Sequence, residues 1–473
     1  MPPAQQTPRR RVAVVGAGIA GLAAAAALRR ADPGLDVVVL ESAPVVGGKL
    51  ARAEVGGVVV DTGAESMLNR RPEAVALARE VGLGGRLVHP ASISAGLWTR
   101  GRLRTMPRTL MGVPTDVRAL ADSGVVSTVG LARVRAEPVL PATRLEGRDV
   151  SIGWLVEERF GREVVDRLVE PLLGGVYAGH AREISARAAV PQVVALLERG
   201  GSMMEAAAEA AARVSDVPVF AGLVGGLGQL PAAIVEAAGL QVRTGTTVRG
   251  LGRAAGGGWE LVLGPTDAPE VLRADAVVLA TPARPTSRLL APVVPVAAME
   301  LDAVEYASMA IVTLAFRARE LPATQGSGFL VPPVDRKAIK ASTFSFAKWD
   351  WVREAGAADD LLLLRCSIGR HREEELLQRP DEEVVQLALE DLADAIGLSV
   401  RPVDAHVQRW GGALPQYAVG HLDRIARVRA ALAAETGLAV CGAAYDGLGL
   451  PACIASARLA ATQVLADLRE AGG

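Results

Sequence analysis

The chain has 473 residues, half of them apolar but only 3% aromatic, with a formal charge of −1. That is enough chain for two or three domains with sizeable cores, and so even a charge balance gives no electrostatic footprint for nucleic acid. The three cysteines, Cys366, Cys441 and Cys453, have neither CxxC nor metal-ligand spacing, so no metal site is expected, and their odd number fits a reducing, cytoplasmic setting. No stretch approaches the ~18 uninterrupted apolar residues of a membrane-spanning helix, and the opening MPPAQQTPRRR lacks the apolar core of a signal peptide.

In chain order, residues 12–15 read as a strand and 22–30 as a helix, joined by Gly16, Gly18 and Gly21 in G-x-G-x-x-G spacing. Such a turn places backbone N–H groups and the positive end of a helix around a pyrophosphate. Gly16 permits the turn, Gly18 the close approach and Gly21 the packing of helix on strand. A second strand, LDVVVLE, ends in Glu41, twenty residues beyond Gly21, where a carboxylate accepts hydrogen bonds from ribose and repels the 2′-phosphate of NADP. ESAPVVGGKL follows, offering Gly48 as a second close backbone approach and Lys49 as a cation. EVGGVVVDTGAESML reads as a hairpin that delivers Asp61, Gly63 and Glu65 into a turn, and 72–82 as a helix.

From 106 to about 215 the pattern is mainly helical with proline punctuation, an inserted helical domain. EPLLGGVYAG, 170–179, is too glycine-rich and apolar for a plain helix; it is either a buried glycine loop, which spacing alone favours, or a surface approached by a flat ligand. Parallel-sheet character returns at 222 with strands such as WELVLG and ADAVVLATPA, and 296–404 reads as a second lobe of strands with a helix at 382–396. GLAVCGAAYDGLGLPACIASARLAATQVL closes the chain as strand, glycine turn and helix. The expected fold class is therefore α/β: a Rossmann-like nucleotide domain from 1–75, 222–295 and 405–473, an α/β lobe from 76–105 and 296–404, and a helical insert at 106–221.

The motifs GAGIAGL, GGK, LATPA and the closing DGLGLPACI resemble the superfamily of flavin-containing monoamine oxidases and protoporphyrinogen oxidases. Within it, DTGAESMLNRRPEAVALAREVGL, GRLRTMPRTLMGVPTD, EPLLGGVYAG and CGAAYDGLGLPACI are similar to the porphyrinogen oxidases of heme synthesis, and most to the Gram-positive type associated with coproporphyrinogen III. The resemblance spans essentially the whole chain. It implies FAD as cofactor, a porphyrinogen substrate, molecular oxygen as acceptor with peroxide released, and a ferrochelatase-type enzyme next in the pathway.

The resemblance also implies roles. Gly16, Gly18, Gly21, Glu41, Gly48 and Lys49 hold the ADP half; Val248 offers its backbone to adenine or is a buried strand valine; Trp410 lies against the flavin or closes the core. Gly442, Gly449, Leu450, Pro451 and Ile454 bring a helix start to the flavin N1–C2 side. The Gly175 carbonyl contacts the macrocycle N–H groups, Arg71 pairs with a propionate, and Lys340 and Lys348 are weaker candidates for the same task. No catalytic side chain is expected, because flavin N5 carries the chemistry; the five histidines are scattered, and His421 reads as a packing or capping residue. Asn69 and Pro72 depart from the charged residues more usual in the Gram-positive type. The arginines of the insert among alanine and valine imply at most loose membrane association. The competing readings are protoporphyrinogen IX as substrate, an amine oxidase, disfavoured by only four tyrosines, and a non-catalytic flavin-binding tetrapyrrole carrier.

Overall fold

A computed structural model describes residues 9–141, 143–212 and 217–471; the segment read as lacking a signal peptide lies largely outside them, at 1–8. The nucleotide side is a five-stranded parallel sheet in the order Gln241–Arg243, Asp36–Leu40, Arg11–Val15, Ala276–Leu279, Leu438–Val440. Apart from the edge strand Gln241–Arg243, its strands are near-continuous runs of valine, leucine and alanine because both faces are covered, as is usual for a parallel sheet. Val12 and Val14 pack under the helices Ile19–Ala31 and Leu450–Glu470, while Ala13 and Val15 face a second layer. That layer contains an antiparallel sheet, Val248–Arg253, Trp259–Leu263 and Glu270–Ala274. The WELVLG strand therefore does not continue the parallel sheet, contrary to the reading of its sequence; its neighbours are joined by short turns, which permit only antiparallel pairing.

The second lobe is a seven-stranded sheet in the order Asp404–Pro415, Tyr306–Arg317, Leu361–Ile368, Ile339–Thr343, Gly328–Leu330, Gly96–Thr99, Arg102–Thr105. It is antiparallel except where Gly328–Leu330 meets Gly96–Thr99. One face buries Phe316, Leu364 and Cys366 together with Val384, Ala388 and Leu392 of the helix Asp381–Ile396; on the other, Ala315, Leu361 and Leu363 pack against Val55, Val58 and Val60 of the hairpin strands Arg52–Val55 and Val58–Asp61, while Met309 and Ile311 border open space. The strand Asp404–Pro415, all but the first residue of which the sequence reading gave to the nucleotide domain, runs along Tyr306–Arg317 over its whole length in this sheet.

The insert is a helical bundle with its own core, and Asp116, Ser127 and Ser151 cap three of its helices through side-chain oxygens. EPLLGGVYAG is not a loop: Glu170–Tyr177 is helical, and Ala178 closes it at φ +49°. The helix tolerates Gly174 and Gly175 because Leu173 and Tyr177 anchor it in the core. A π-helical segment, Val165–Val169, leads into it; Pro171 lacks the N–H of a regular turn and crowds the carbonyl four residues earlier, and widening the preceding turn relieves both. Among the described residues no helix is long and apolar enough to cross a membrane.

Candidate active site

Between the two sheets lies one cavity of about 1040 Å³, at the top of the range that encloses a single small ligand. At its nucleotide end Gly16 sits at φ +104°, a conformation that side chains resist, and a Cβ there would stand 3.2 Å from the Ala280 carbonyl oxygen. Gly18 caps the helix Ile19–Ala31 without any side-chain hydrogen bond and has open space where a Cβ would be, so the first-turn N–H groups remain available to an anion. A Cβ on Gly21 would lie 1.8 Å from the Gly16 carbonyl oxygen, which makes Gly21 a packing residue behind the turn. Glu41 accepts from the N–H groups of Ala17 at 2.7 Å and Ala43 at 2.8 Å, so its carboxylate is fixed at the cavity wall with lone pairs to spare for hydroxyl groups. Gly47 donates to Ala17 at 2.9 Å, holding Gly48 against Gly18. These features fit the ADP half of a dinucleotide.

Lys49, Val248, Trp410, Gly442 and Leu450 also line the cavity. Burial pushes the Lys49 ammonium down from its usual range. Trp410 donates from Nε1 to the Thr62 carbonyl at 3.0 Å, so it both walls the cavity and pins the turn after the hairpin. The N–H of Gly442 is engaged by Ser456 Oγ at 3.0 Å, whereas Gly449 leaves the start of Leu450–Glu470 without a side-chain cap. Pro451 and Ile454 lie behind that start, buried, with Ile454 in the core; neither they nor Gly449 reach the cavity wall.

At the other end Gly175 and Val176 stand on the last turn of Glu170–Tyr177 and line the cavity opposite Met309, Ile311, Leu330, Ala341 and Thr343 of the seven-stranded sheet. A Cβ on Gly175 would meet only Leu330, at 3.9 Å. The Gly174 carbonyl accepts from Ala178 and the Tyr177 carbonyl from Gln416 Nε2 at 2.8 Å, while no described residue donates to Gly175. The negative end of a helix is thus open beside a flat apolar space.

The cation at this end is one that sequence reasoning missed. Arg365, on Leu361–Ile368, lines the cavity, donates to Glu65 at 3.0 Å and to the Gly63 carbonyl at 2.8 Å. Lys348 reaches the same carboxylate at 2.6 Å. Burial alone would raise the Glu65 carboxyl, but Lys348 and Arg365 together hold it at about 2. The signal for Arg365 was available: one charge inside LLLLRCSI, a run otherwise fit for a buried strand.

The three expected propionate partners are not at the cavity wall. Arg71 stands exposed before the helix Pro72–Glu80 and pairs with Glu73 at 2.7 Å. Lys348 is committed to Glu65. Lys340 lies on the opposite face of its strand, 3% exposed, bonded to the Gly369 carbonyl at 2.6 Å and pushed by burial and Arg370 down to about 7. His421 stacks on Tyr417 with ring centroids 4.0 Å apart, and burial followed by the Arg424 charge pushes it down to about 4, so it is a packing residue.

The sequence profile of the flavin-containing amine oxidoreductases matches residues 19–465. The chain is 39% identical to the coproporphyrinogen III oxidase of Mycobacterium leprae (strain TN), over 97% of this chain and 99% of that protein. It is 30% identical to the coproporphyrinogen III oxidase of Bacillus subtilis (strain 168), over 97% and 99%. Human protoporphyrinogen oxidase is 28% identical over 96% and 98%. A crystal structure from Exiguobacterium sp. 255-15, provisionally named a protoporphyrinogen oxidase, superposes with a TM-score of 0.86 at 31% identity, covering 98% of this chain and all of that one. The chain belongs to the flavin-containing amine oxidoreductases and, within them, to the FAD-dependent porphyrinogen oxidases.

Proposed function

We propose that the chain oxidises coproporphyrinogen III to coproporphyrin III, with molecular oxygen as the final acceptor and hydrogen peroxide as by-product. The observation that carries this reading is the single cavity running from the Gly16–Glu41 cradle to the open turn at Gly175. Gly16, Gly18, Glu41 and Gly48 would hold the ADP half; Trp410, Gly442 and the start of Leu450–Glu470 would border the ring system. FAD bound there supplies a two-electron acceptor that oxygen can regenerate. A porphyrinogen loses six hydrogens in becoming a porphyrin, which amounts to three hydrides and three protons. The adjacent pyrrole nitrogens stabilise the cation left at a meso carbon, so the chain is asked for orientation, and no strong side-chain base is required.

Gly175 supplies that orientation in this reading. Its missing side chain admits a flat ring, and its free carbonyl accepts a pyrrole N–H. Glu65, ionised and satisfied on both sides, fixes the floor through Arg365 and Lys348 instead of moving protons. The name shared by the mycobacterial and Bacillus relatives supports coproporphyrinogen III. Protoporphyrinogen IX remains the competing substrate for a specific reason: Met309, Ile311 and Leu330 are apolar walls suited to vinyl groups, and the nearby Arg365 is already neutralised. The pathway then places a ferrochelatase-type enzyme downstream, and the reaction belongs in the cytoplasm with at most loose surface attachment.

Anaerobic mixing of the FAD-loaded protein with coproporphyrinogen III tests the proposal. The visible flavin absorption should bleach, and an oxygen pulse should restore it with peroxide released. A flavin that stays oxidised in the presence of the porphyrinogen contradicts it.

A further inference from the structure

A second pocket, of about 300 Å³, sits where the strands Ile339–Thr343 and Leu361–Ile368 leave the seven-stranded sheet, and it shares no lining residue with the main cavity. We propose that this pocket, with Arg370 as its base and Lys337 at its side, binds a small oxyanion: a phosphate or a carboxylate group.

Arg370 is 6% exposed and faces the pocket. Among the described residues its side chain makes one hydrogen bond, from Nη2 to the Val331 carbonyl at 3.2 Å, and the nearest ion-pair partner, Glu373, is 3.9 Å from Nη1. A guanidinium has five N–H donors, so most of this one's capacity is unspent at a buried position. Behind it Lys340 is also buried, and among the described residues its ammonium has only the Gly369 carbonyl for a hydrogen-bond partner. Burial and the neighbouring Arg370 push that lysine down to about 7. Among the described residues neither of these two buried basic groups is in hydrogen-bond contact with a carboxylate, and an oxyanion on Arg370 offsets the cost of burying its charge.

The other charges around the pocket are accounted for. Lys337 is 3.3 Å from Asp391 and also pairs with Asp394; Arg372 pairs with Glu183 at 3.1 Å and Glu305 at 2.7 Å. Glu373 and Glu375 also line the pocket. These carboxylates disfavour anions that stay at the mouth, whereas at the base Arg370 feels Glu373, Glu170 and Asp391 only through space, with none of these carboxylates within hydrogen-bond distance, so its N–H donors stay available. The same loop donates from the His371 N–H to the Ala178 carbonyl at 2.6 Å, so an occupied pocket stiffens the support of the helix that carries Gly175.

Thermal unfolding of the FAD-saturated protein at constant ionic strength tests this, with sodium phosphate, sodium succinate and sodium chloride compared for wild type, Arg370→Gln and Lys337→Ala. Phosphate, succinate or both should raise the wild-type Tm over chloride, by about 1–2 °C at ten times Kd, and whichever does so identifies the anion class. Arg370→Gln, relieved of a buried charge, should melt no lower than wild type in chloride and show no anion shift. Lys337→Ala should need a several-fold higher concentration for the same shift, which keeps the test decisive if Arg370→Gln does not fold. No shift of the wild type with either anion, or an equal shift in both variants, overturns the proposal.

Discussion

The two ends of the cavity are built by different means. At the nucleotide end backbone does the work: glycines, an open helix N-terminus and one carboxylate, all within residues 16–48. At the substrate end, side chains from distant parts of the chain converge, Glu65 meeting Lys348 and Arg365 across 283 and 300 residues. The difference teaches how each end fails. A Cβ on Gly16 or Gly21 meets backbone that cannot move, whereas a side chain at Gly175 meets open cavity and spares the fold.

That contrast is broken most sharply at Gly21. Gly21→Val puts a branched side chain where even a Cβ falls 1.8 Å from the Gly16 carbonyl oxygen; we expect no FAD-loaded protein at all, checked by the flavin absorbance of the purified variant. Gly175→Leu should keep full FAD content and the wild-type melting temperature while losing about a hundredfold or more in kcat/KM, the scale on which a misplaced substrate slows a reaction. Normal turnover by that variant would move the substrate elsewhere.

Glu65→Gln sharpens the substrate end. It leaves Lys348 and Arg365 facing each other over a neutral group, and removing one partner of a buried ion pair costs about 3 kcal/mol, to be read from denaturant unfolding. The sign with pH follows from a carboxyl held near 2 in the folded chain, below its ordinary value near 4.5. Its stabilisation is present above about pH 4.5 and is lost as pH falls toward 2, so wild type and variant should converge in acid. The smallest effect is expected at Arg71: an exposed ion pair with Glu73 contributes little, and Arg71→Ala should change kcat/KM by less than about threefold on either porphyrinogen.

Legibility followed the same division. The glycine spacing and the Glu41 interval are local, so Gly16, Gly18, Glu41 and Gly48 were readable from 33 consecutive residues and the structure gathers them at one wall. That Glu170–Tyr177 is helical was hidden, because its glycine content outweighs in any local pattern the tertiary anchoring by Leu173 and Tyr177. Arg71 came from the family resemblance, with Lys340 and Lys348 as weaker candidates, but what decides a cation's role is its partner: Glu73 beside the first, a buried carbonyl for the second, Glu65 for the third. Arg365 escaped because its partner lies in the hairpin turn, and only the pairing of the lobes brings them together. The antiparallel order of the second lobe was equally hidden, since an apolar run does not disclose its direction.

The most direct test of the central claim is kcat/KM for coproporphyrinogen III and protoporphyrinogen IX, measured by product fluorescence on one FAD-loaded preparation with peroxide followed in parallel. The account predicts turnover of both, a clear preference for coproporphyrinogen III, and three peroxides per porphyrin. Equal or better turnover of protoporphyrinogen IX would contradict the substrate assignment, and no porphyrin from either would contradict the reading of the cavity itself.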